Sequence, residues 1–442
     1  MRLPLSARTL LALLAIFLLA LGLRGAWILH TDTQLPWLGD PQYYHATAQN
    51  IAEGRGYSVS FEDAGFVADD KSQPTDFWAP GFPFALAPFY KLFGARIAVG
   101  KIFNAIVGAL AVLPIFYLGR RLWPRPHADP AGLLAAFLFA ITPSLVFWTP
   151  AILSEPLFTL GLAWTLAVAL WAGERRSIAG FALTGLLLTA TAFVRSQGAV
   201  LIVPVAILLV RDIGLRSVAR VAVPVGLAGA VLLVPWAVRN RLVMGHVYLI
   251  NDDLGYNLRI AHGPNSTGTS VPPQDLWDDR PGISFKEREV FFDEVGGKRA
   301  WAYARTHVRR EAALVMYRER YLLRSDAADS LWESLRERPT VGRARLAMFT
   351  GDVFYYALLA LTAASALLVR RSRLFFALWS TIGVWLALHL IFAGEPRYHV
   401  PLYPVAAVLS AGALAAIATA VQSRIDAGAP GFEAAAEPAT AR

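Results

Sequence analysis

Long apolar runs alternate along this chain with short polar joints that carry arginine. Many of the runs approach the roughly 20 residues needed to cross a bilayer core as a helix. Spans are predicted at 9–29, 98–118, 131–149, 155–172, 178–195, 198–210, 220–238, 350–369, 374–393 and 399–420. Between 178 and 210 the segment Arg195-Ser196-Gln197-Gly198 splits one long apolar run into two short helices. Two polar stretches interrupt the series, an aromatic-rich loop at 30–95 and a larger one at 239–349. The pattern predicts an all-α polytopic membrane protein of about ten transmembrane helices, with a polar first outer loop and a large outer loop of mainly helical and irregular structure.

The large loop opens with a Gly/Asn/Pro/Ser-rich portion, Asn251 to Pro281, expected to be turns and irregular backbone. From Ser284 to about Arg324 it reads as helix, with Phe291, Phe292, Val308 and Leu314 on its apolar faces. The Gly296-Gly297 pair is expected to break this stretch into two helices that lie on the membrane surface or cap a site. Four parts follow: an N-terminal membrane part at 1–238, the large loop at 239–349, the last spans at 350–421, and a disordered, Ala/Gly/Pro/Glu-rich tail at 422–442.

Composition agrees. The 442 residues are 56% hydrophobic and 17% charged, with a mean hydropathy of +0.46, against about 25% charged in an ordinary soluble domain. A net charge of +9 would suit a nucleic-acid binder, but the basic residues cluster between apolar runs, which is topology rather than a nucleic-acid footprint. The absence of cysteine excludes disulfides, thiolate metal sites and a cysteine nucleophile. With the N-terminus in the cytoplasm, Arg2, Arg8, Arg120, Arg121, Arg125, Arg175, Arg176, Arg211, Arg216, Arg220, Arg370, Arg371 and Arg373 all fall inside, and the opposite short joints carry only Arg195 and Arg397. Adding or removing one span would scramble that bias. The first run is longer than a signal-peptide core and holds Arg24 where a cleavage site would sit, so it is expected to be retained.

This topology gathers expensive groups on the outer side. Asp40 follows the first span, in Gly39-Asp40-Pro41-Gln42-Tyr43-Tyr44. Glu155 opens the fourth span, Arg195 and Gln197 occupy the turn between the fifth and sixth, and Glu395, Arg397 and Tyr398 precede the last. A charge at the centre of a spanning helix costs about 2.5–3.5 kcal/mol, so the acids Asp40 and Glu155 with the arginines Arg195 and Arg397 on one side suggest a shared polar cavity. Plainer roles exist for each: Asp40 in a turn, Glu155 at a helix start capped by Ser154, Arg195 reaching the interface, Arg397 as a loop residue. His45 and His399 read as structural, and no His/Asp/Glu spacing matches a metal motif; a divalent metal is possible but unsupported.

Several blocks resemble the dolichyl-phosphate-mannose–protein mannosyltransferase and aminoarabinose–lipid A transferase superfamily of GT-C glycosyltransferases, in particular its bacterial members. They are Asp40-Pro41-Gln42-Tyr43-Tyr44 with Gly54-Arg55-Gly56-Tyr57-Ser58, Ala79-Pro80-Gly81-Phe82-Pro83, Leu153-Ser154-Glu155-Pro156-Leu157, Arg239-Asn240 with Gly255-Tyr256-Asn257-Leu258, and Arg397-Tyr398-His399-Val400-Pro401-Leu402-Tyr403-Pro404. The resemblance implies an inner-membrane enzyme with both termini cytoplasmic and its site on the periplasmic face. It implies a polyprenyl-phosphate-sugar donor, membrane lipid around it, and an acceptor hydroxyl on a glycan, lipid or protein. Asp40 takes the place of the family's catalytic base for an inverting transfer. Arg195 and Arg397 would neutralise the lipid phosphate, Glu155 would orient the acceptor or an arginine, and Tyr43, Tyr44 and Trp78 would stack on sugar. Where relatives often carry paired acids, this chain has Asp40-Pro41, which removes that argument for a metal. A polysaccharide ligase or polymerase, or a lipid or sugar transporter, would also need charges in a membrane cavity. Two unequal outer loops without duplication favour the transferase over a transporter built from repeats.

Overall fold

A computed structural model of the chain describes residues 5–31, 39–59, 72–124, 127–280, 283–332 and 341–428. Arg2, Arg125, parts of both outer loops and the tail beyond 428 lie outside these residues. Among the described residues the only sheet is a two-stranded antiparallel pairing of β1 (Ser58–Val59) with β2 (Gln73–Pro74). Everything else that is regular is helix.

In chain order, α1 (Ala7–Ile28) begins at a Ser6 cap whose hydroxyl accepts from the Thr9 amide at 3.0 Å. The first outer loop supplies α2 (Asp40–Ala52) and α3 (Gly81–Phe93). The next spans are α4 (Ile97–Leu110) continuing into α5 (Val112–Leu122), then α6 (Ala128–Ala140), the short α7 (Pro143–Phe147) and α8 (Glu155–Arg175). After these come α9 (Ile178–Val194), α10 (Ile202–Leu209) and α11 (Leu215–Val243). The large outer loop holds α12 (Leu254–Ala261), α13 (Gln274–Asp278), α14 (Phe285–Thr306), α15 (Val308–Leu322) and α16 (Ala327–Trp332). The chain returns through α17 (Val341–Leu368), α18 (Arg373–His389) and α19 (Tyr403–Gly428).

Among the described residues, six helices are long and apolar enough to cross a bilayer, at 7–28, 97–122, 155–175, 215–244, 341–368 and 396–425. A pair bent by 52°, Ala128–Ala140 with Pro143–Ala151, makes a seventh candidate. The remaining three predicted spans are shorter apolar helices, Ile178–Val194, Ser196–Leu209 and Arg373–His389. With a 3₁₀ rise of about 2.0 Å over Ser196–Leu201 and an α rise of about 1.5 Å over Ile202–Leu209, the middle one is about 24 Å long, short of a core of about 30 Å. The shortening is local: Arg195 leaves the helix in an extended conformation (φ −149°, ψ 125°) and turns its side chain inward. The protein is thus an all-α, multi-pass membrane protein with several foreshortened helices.

Two further expectations change. The glycine pair 296–297 does not break the helix, since α14 runs unbroken through it and ends at His307. The reason is close packing. A Cβ on Gly255 of α12 would lie 1.8 Å from the Asp293 carbonyl oxygen, and one on Gly296 would lie 2.6 Å from the Gly255 oxygen. Glycine on both helices lets their backbones touch, a use that outweighs its weak helix propensity. The tail, expected to be disordered from 422, is helical to Gly428.

Two apolar cores result. The larger is the membrane bundle around α8, whose Phe158 ring packs 5.6 Å from Trp385 of α18. The smaller joins the outer loops: Phe77 from the first loop is buried with Leu276, Phe291 and Phe292 from the second. One loop therefore supplies part of the other's core.

Candidate active site

Asp40 is the first residue of α2, followed by a proline that costs nothing there because the first helical amides have no intrahelical partner. Gly39 before it has φ +108°, which a Cβ would strain. The carboxylate sits where the positive end of the helix dipole favours negative charge. Arg397 lies on a 3₁₀ turn, Pro396–Leu402, that leads into α19. Arg195 is the extended joint between α9 and the 3₁₀ turn Ser196–Leu201. Glu155 opens α8.

These four distant residues form one chain of contacts. Arg397 donates from Nη2 to Asp40 Oδ2 at 2.7 Å, and its Nε lies 3.2 Å from Glu155 Oε1. Arg195 donates from Nη1 to the same Glu155 oxygen at 2.7 Å and to Ser154 Oγ at 3.1 Å. Trp78 Nε1 donates to Asp40 Oδ1 at 3.1 Å. The Tyr398 ring lies 6.0 Å from the Arg195 guanidinium and 5.7 Å from that of Arg397, within cation–π range. Ser154 makes no side-chain cap to α8; its hydroxyl is engaged by Arg195 and by Tyr44. Glu155 is only 2% exposed. A carboxylate so buried is tolerated because two guanidiniums meet it.

Burial alone would raise the Asp40 carboxyl, but the charges of Arg397 and Arg195, with hydrogen bonds from Arg397 and Trp78, outweigh it and hold the group below the usual range. Asp40 is therefore ionised at neutral pH.

Asp40, Tyr44, Trp78, Arg195, Gln197, Tyr256, Asn257, Arg397 and Tyr398 line a cavity of about 180 Å³. Ser196, Gln197, Asn257 and Tyr398 also line an adjoining cavity of about 390 Å³, walled on its apolar side by Val200, Leu388 and Phe392. Glu155 stands behind the wall, bracing the two arginines. Tyr43 does not reach the cavity. It is fully buried with its ring 3.9 Å from Trp78, so it supports that indole and has no face left for a sugar. Glu395 is also outside, accepting from the Ser270 amide at 2.8 Å and tying the last turn to the large loop. His45 bonds the Tyr90 hydroxyl and His399 the Leu322 carbonyl, both at 2.7 Å.

A charged cavity residue has no counterpart among the residues expected from sequence. Asp253, just before α12, lines both cavities. Burial pushes its carboxyl up to about 7, and the charges of Asp293 and Asp40 add to the shift. The only signal was the acidic pair Asp252-Asp253 in a loop otherwise read as turns. Its neighbour Asp252 faces Asp76 and His246 beside the cavity.

The family model described as dolichyl-phosphate-mannose-protein mannosyltransferase matches residues 73–238, less than half of the chain. That stretch holds Trp78, Glu155 and Arg195 but neither Asp40 nor Arg397. Comparison with curated proteins finds no match. Among solved structures the chain is similar to the oligosaccharyltransferase AglB of the archaeon Archaeoglobus fulgidus, solved with an inhibitory peptide and a dolichol-phosphate, at 17% identity and a TM-score of 0.54, over 96% of this chain and 52% of that one. A structure of the same enzyme tethered to an acceptor peptide gives 18% identity and a TM-score of 0.54, over 95% of this chain and 50% of that one. ArnT of Cupriavidus metallidurans in the apo state matches more loosely, at 14% identity and a TM-score of 0.41, over 92% of this chain and 78% of that one. The chain spans about half the length of the AglB structures it matches. It has the GT-C fold.

Proposed function

We propose that this GT-C chain is a glycosyltransferase that moves a sugar from a polyprenyl-phosphate donor to an acceptor hydroxyl on the outer face of the membrane. The observation that carries the reading is the Asp40–Arg397–Glu155–Arg195 chain along a cavity that shares a wall with an apolar-walled one. That combination suits a substrate with a phosphate at one end and a lipid at the other, and AglB, with the same fold, was solved with a dolichol-phosphate.

In this reading the polyprenyl tail leaves the cavity between the 3₁₀ turn Ser196–Leu201 and the end of α18, past Val200, Leu388 and Phe392. The phosphate meets Arg195 and Arg397, whose planar forks suit phosphate oxygens and stabilise the charge that grows there as the sugar departs. Trp78 and Tyr256 offer aromatic faces toward the sugar. Asp40 accepts the proton of the acceptor hydroxyl as its oxygen attacks the anomeric carbon opposite the phosphate, which inverts the configuration. Arg397 must loosen its 2.7 Å hold on Asp40 to reach the phosphate. Donor binding thereby frees the base.

Asp40→Asn keeps the shape and removes the proton acceptor. Membranes bearing this variant and supplied with radiolabelled polyprenyl-phosphate sugar are expected to lose about 10²–10⁴-fold in transfer rate. Undiminished transfer would remove Asp40 from this role.

A further inference from the structure

Beside the cavity, three potential ligands converge from parts of the chain that share no motif. Asp76 follows β2 in the first outer loop, and His246 and Asp252 follow α11. Their ligand atoms all lie within 4.8 Å of one another. Asp76 and Asp252 are completely buried. His246 Nε2 is 3.0 Å from Asp76 Oδ2. The other Asp76 oxygen and both Asp252 oxygens are buried with no hydrogen-bond donor directed at them. Buried carboxylate oxygens are almost always met by donors, because leaving them bare costs several kcal/mol.

The surroundings deepen the imbalance. Glu289 of α14, 1% exposed, accepts from the Thr75 hydroxyl and from the Asp76 amide at 3.3 Å. The guanidinium facing this group is Arg239, which spends its donors on the Thr75 and Tyr57 carbonyls at 2.8 Å and on Asn240. Among the described residues, Arg239 acts on Asp76 and Glu289 by its charge while its hydrogen bonds go elsewhere. Burial, and then the charges of Glu289, Asp76 and Asp253, push the Asp252 carboxyl well above its usual range.

We infer that Asp76, His246 and Asp252 form a binding site for one divalent cation of the zinc class, separate from the Asp40 centre. One imidazole nitrogen and two carboxylate oxygens are a donor set that zinc accepts and manganese tolerates, whereas calcium takes six to eight oxygens. Tetrahedral zinc with bonds near 2.1 Å holds its ligands about 3.5 Å apart, so the trio must draw together from separations of up to 4.8 Å. The cation would take the place of the His246–Asp76 hydrogen bond, with the imidazole neutral.

The cation's role is to clip two loops together. The Asp252 amide donates to the Asp76 carbonyl at 3.1 Å, and Asn251 Nδ2 donates to the Phe77 carbonyl at 3.1 Å, so the segments already lie alongside each other. Trp78, two residues after Asp76, holds Asp40, and Asp253 follows Asp252 into the cavity. A cation at this point fixes both cavity walls without touching the reacting groups.

The test reads the metal itself and does not depend on transfer activity. The full chain, purified in detergent and passed through gel filtration after exposure to zinc chloride, is expected to retain about one zinc per chain by elemental analysis. His246→Ala and Asp252→Asn should fall to background, while Asp278→Asn, an exposed acid elsewhere in the loop, keeps its zinc. After stripping with EDTA, zinc chloride should raise the thermal midpoint of the wild-type chain by several degrees and leave that of Asp252→Asn unmoved. The inference is overturned if the wild-type chain retains neither zinc nor manganese, a result that decides the matter even if the variants misfold. Equal zinc retention by His246→Ala also overturns it. So does a midpoint that ignores both metals and rises on acidification, since that marks two carboxyls sharing a proton.

Discussion

Arg397 illustrates how much one side chain carries in this protein. It contacts Asp40 on one side and Glu155 on the other, and its guanidinium lies 5.7 Å from the Tyr398 ring. Hydrogen bonds to charged groups contribute roughly 1.5–3 kcal/mol, so Arg397→Ala is expected to weaken apparent donor affinity by about tenfold to a hundredfold, measured as KM for the polyprenyl-phosphate sugar. Unchanged donor KM would end its assignment to the phosphate. Asp253 makes a different prediction. With its carboxyl near 7, a rise in pH through neutrality adds a negative charge to a cavity proposed to hold a phosphate. Donor KM should therefore climb between about pH 6 and 8, and Asp253→Asn should flatten that profile. The same raised value favours the protonated folded state, so its contribution to stability is full below the ordinary carboxylate range and is lost as pH rises through about 7. Asp40, Glu155, Arg195 and Arg397 were readable because charges are costly beside apolar spans; Asp253 was not, since it lies in a loop far from any span, and Tyr43 was misread because sequence does not show which side of a short helix faces inward.

At the scale of elements, glycine placement does more than its propensity suggests. Gly255 and Gly296 allow α12 and α14 to meet backbone to backbone, and α12 carries Tyr256 and Asn257 at the cavity. Gly255→Val would drive a side chain into the Asp293 carbonyl, which lies 1.8 Å from the position of the new Cβ. Overpacking of this kind costs about 1–3 kcal/mol or more. Limited proteolysis should cut the 251–300 region of this variant faster than that of the wild type, while the spanning helices stay protected. Equal protection would show that α14 can shift to make room. The Gly296-Gly297 pair reads as a helix breaker only while its partner helix is unseen.

For the whole molecule, the absence of cysteine offers a direct test of sidedness, which is part of the proposal. Asp212, in the joint between α10 and α11, and Asn265, in the large loop, are both exposed. Asn265→Cys is expected to react with a membrane-impermeant maleimide in cells whose outer barrier has been opened. Asp212→Cys should react only once the inner membrane is breached. Labelling of both, or the reverse pattern, would put the cavity on the other side and remove the outer-face acceptor.

By itself the sequence determined that the chain crosses a membrane repeatedly as helices, because 17% charge and apolar runs of this length leave the backbone no other way to satisfy its hydrogen bonds in lipid. Its basic residues also divide consistently between alternate short joints, because basic residues follow topology. Only the tertiary structure decided that Asp40 and Arg397, 357 residues apart, meet at 2.7 Å, that Glu155 braces two arginines from behind the wall, and that Asp76 faces Asp252 across two loops. Such pairings depend on helix crossings and on backbone contacts such as Gly255 against Asp293, which leave no periodic trace along the chain.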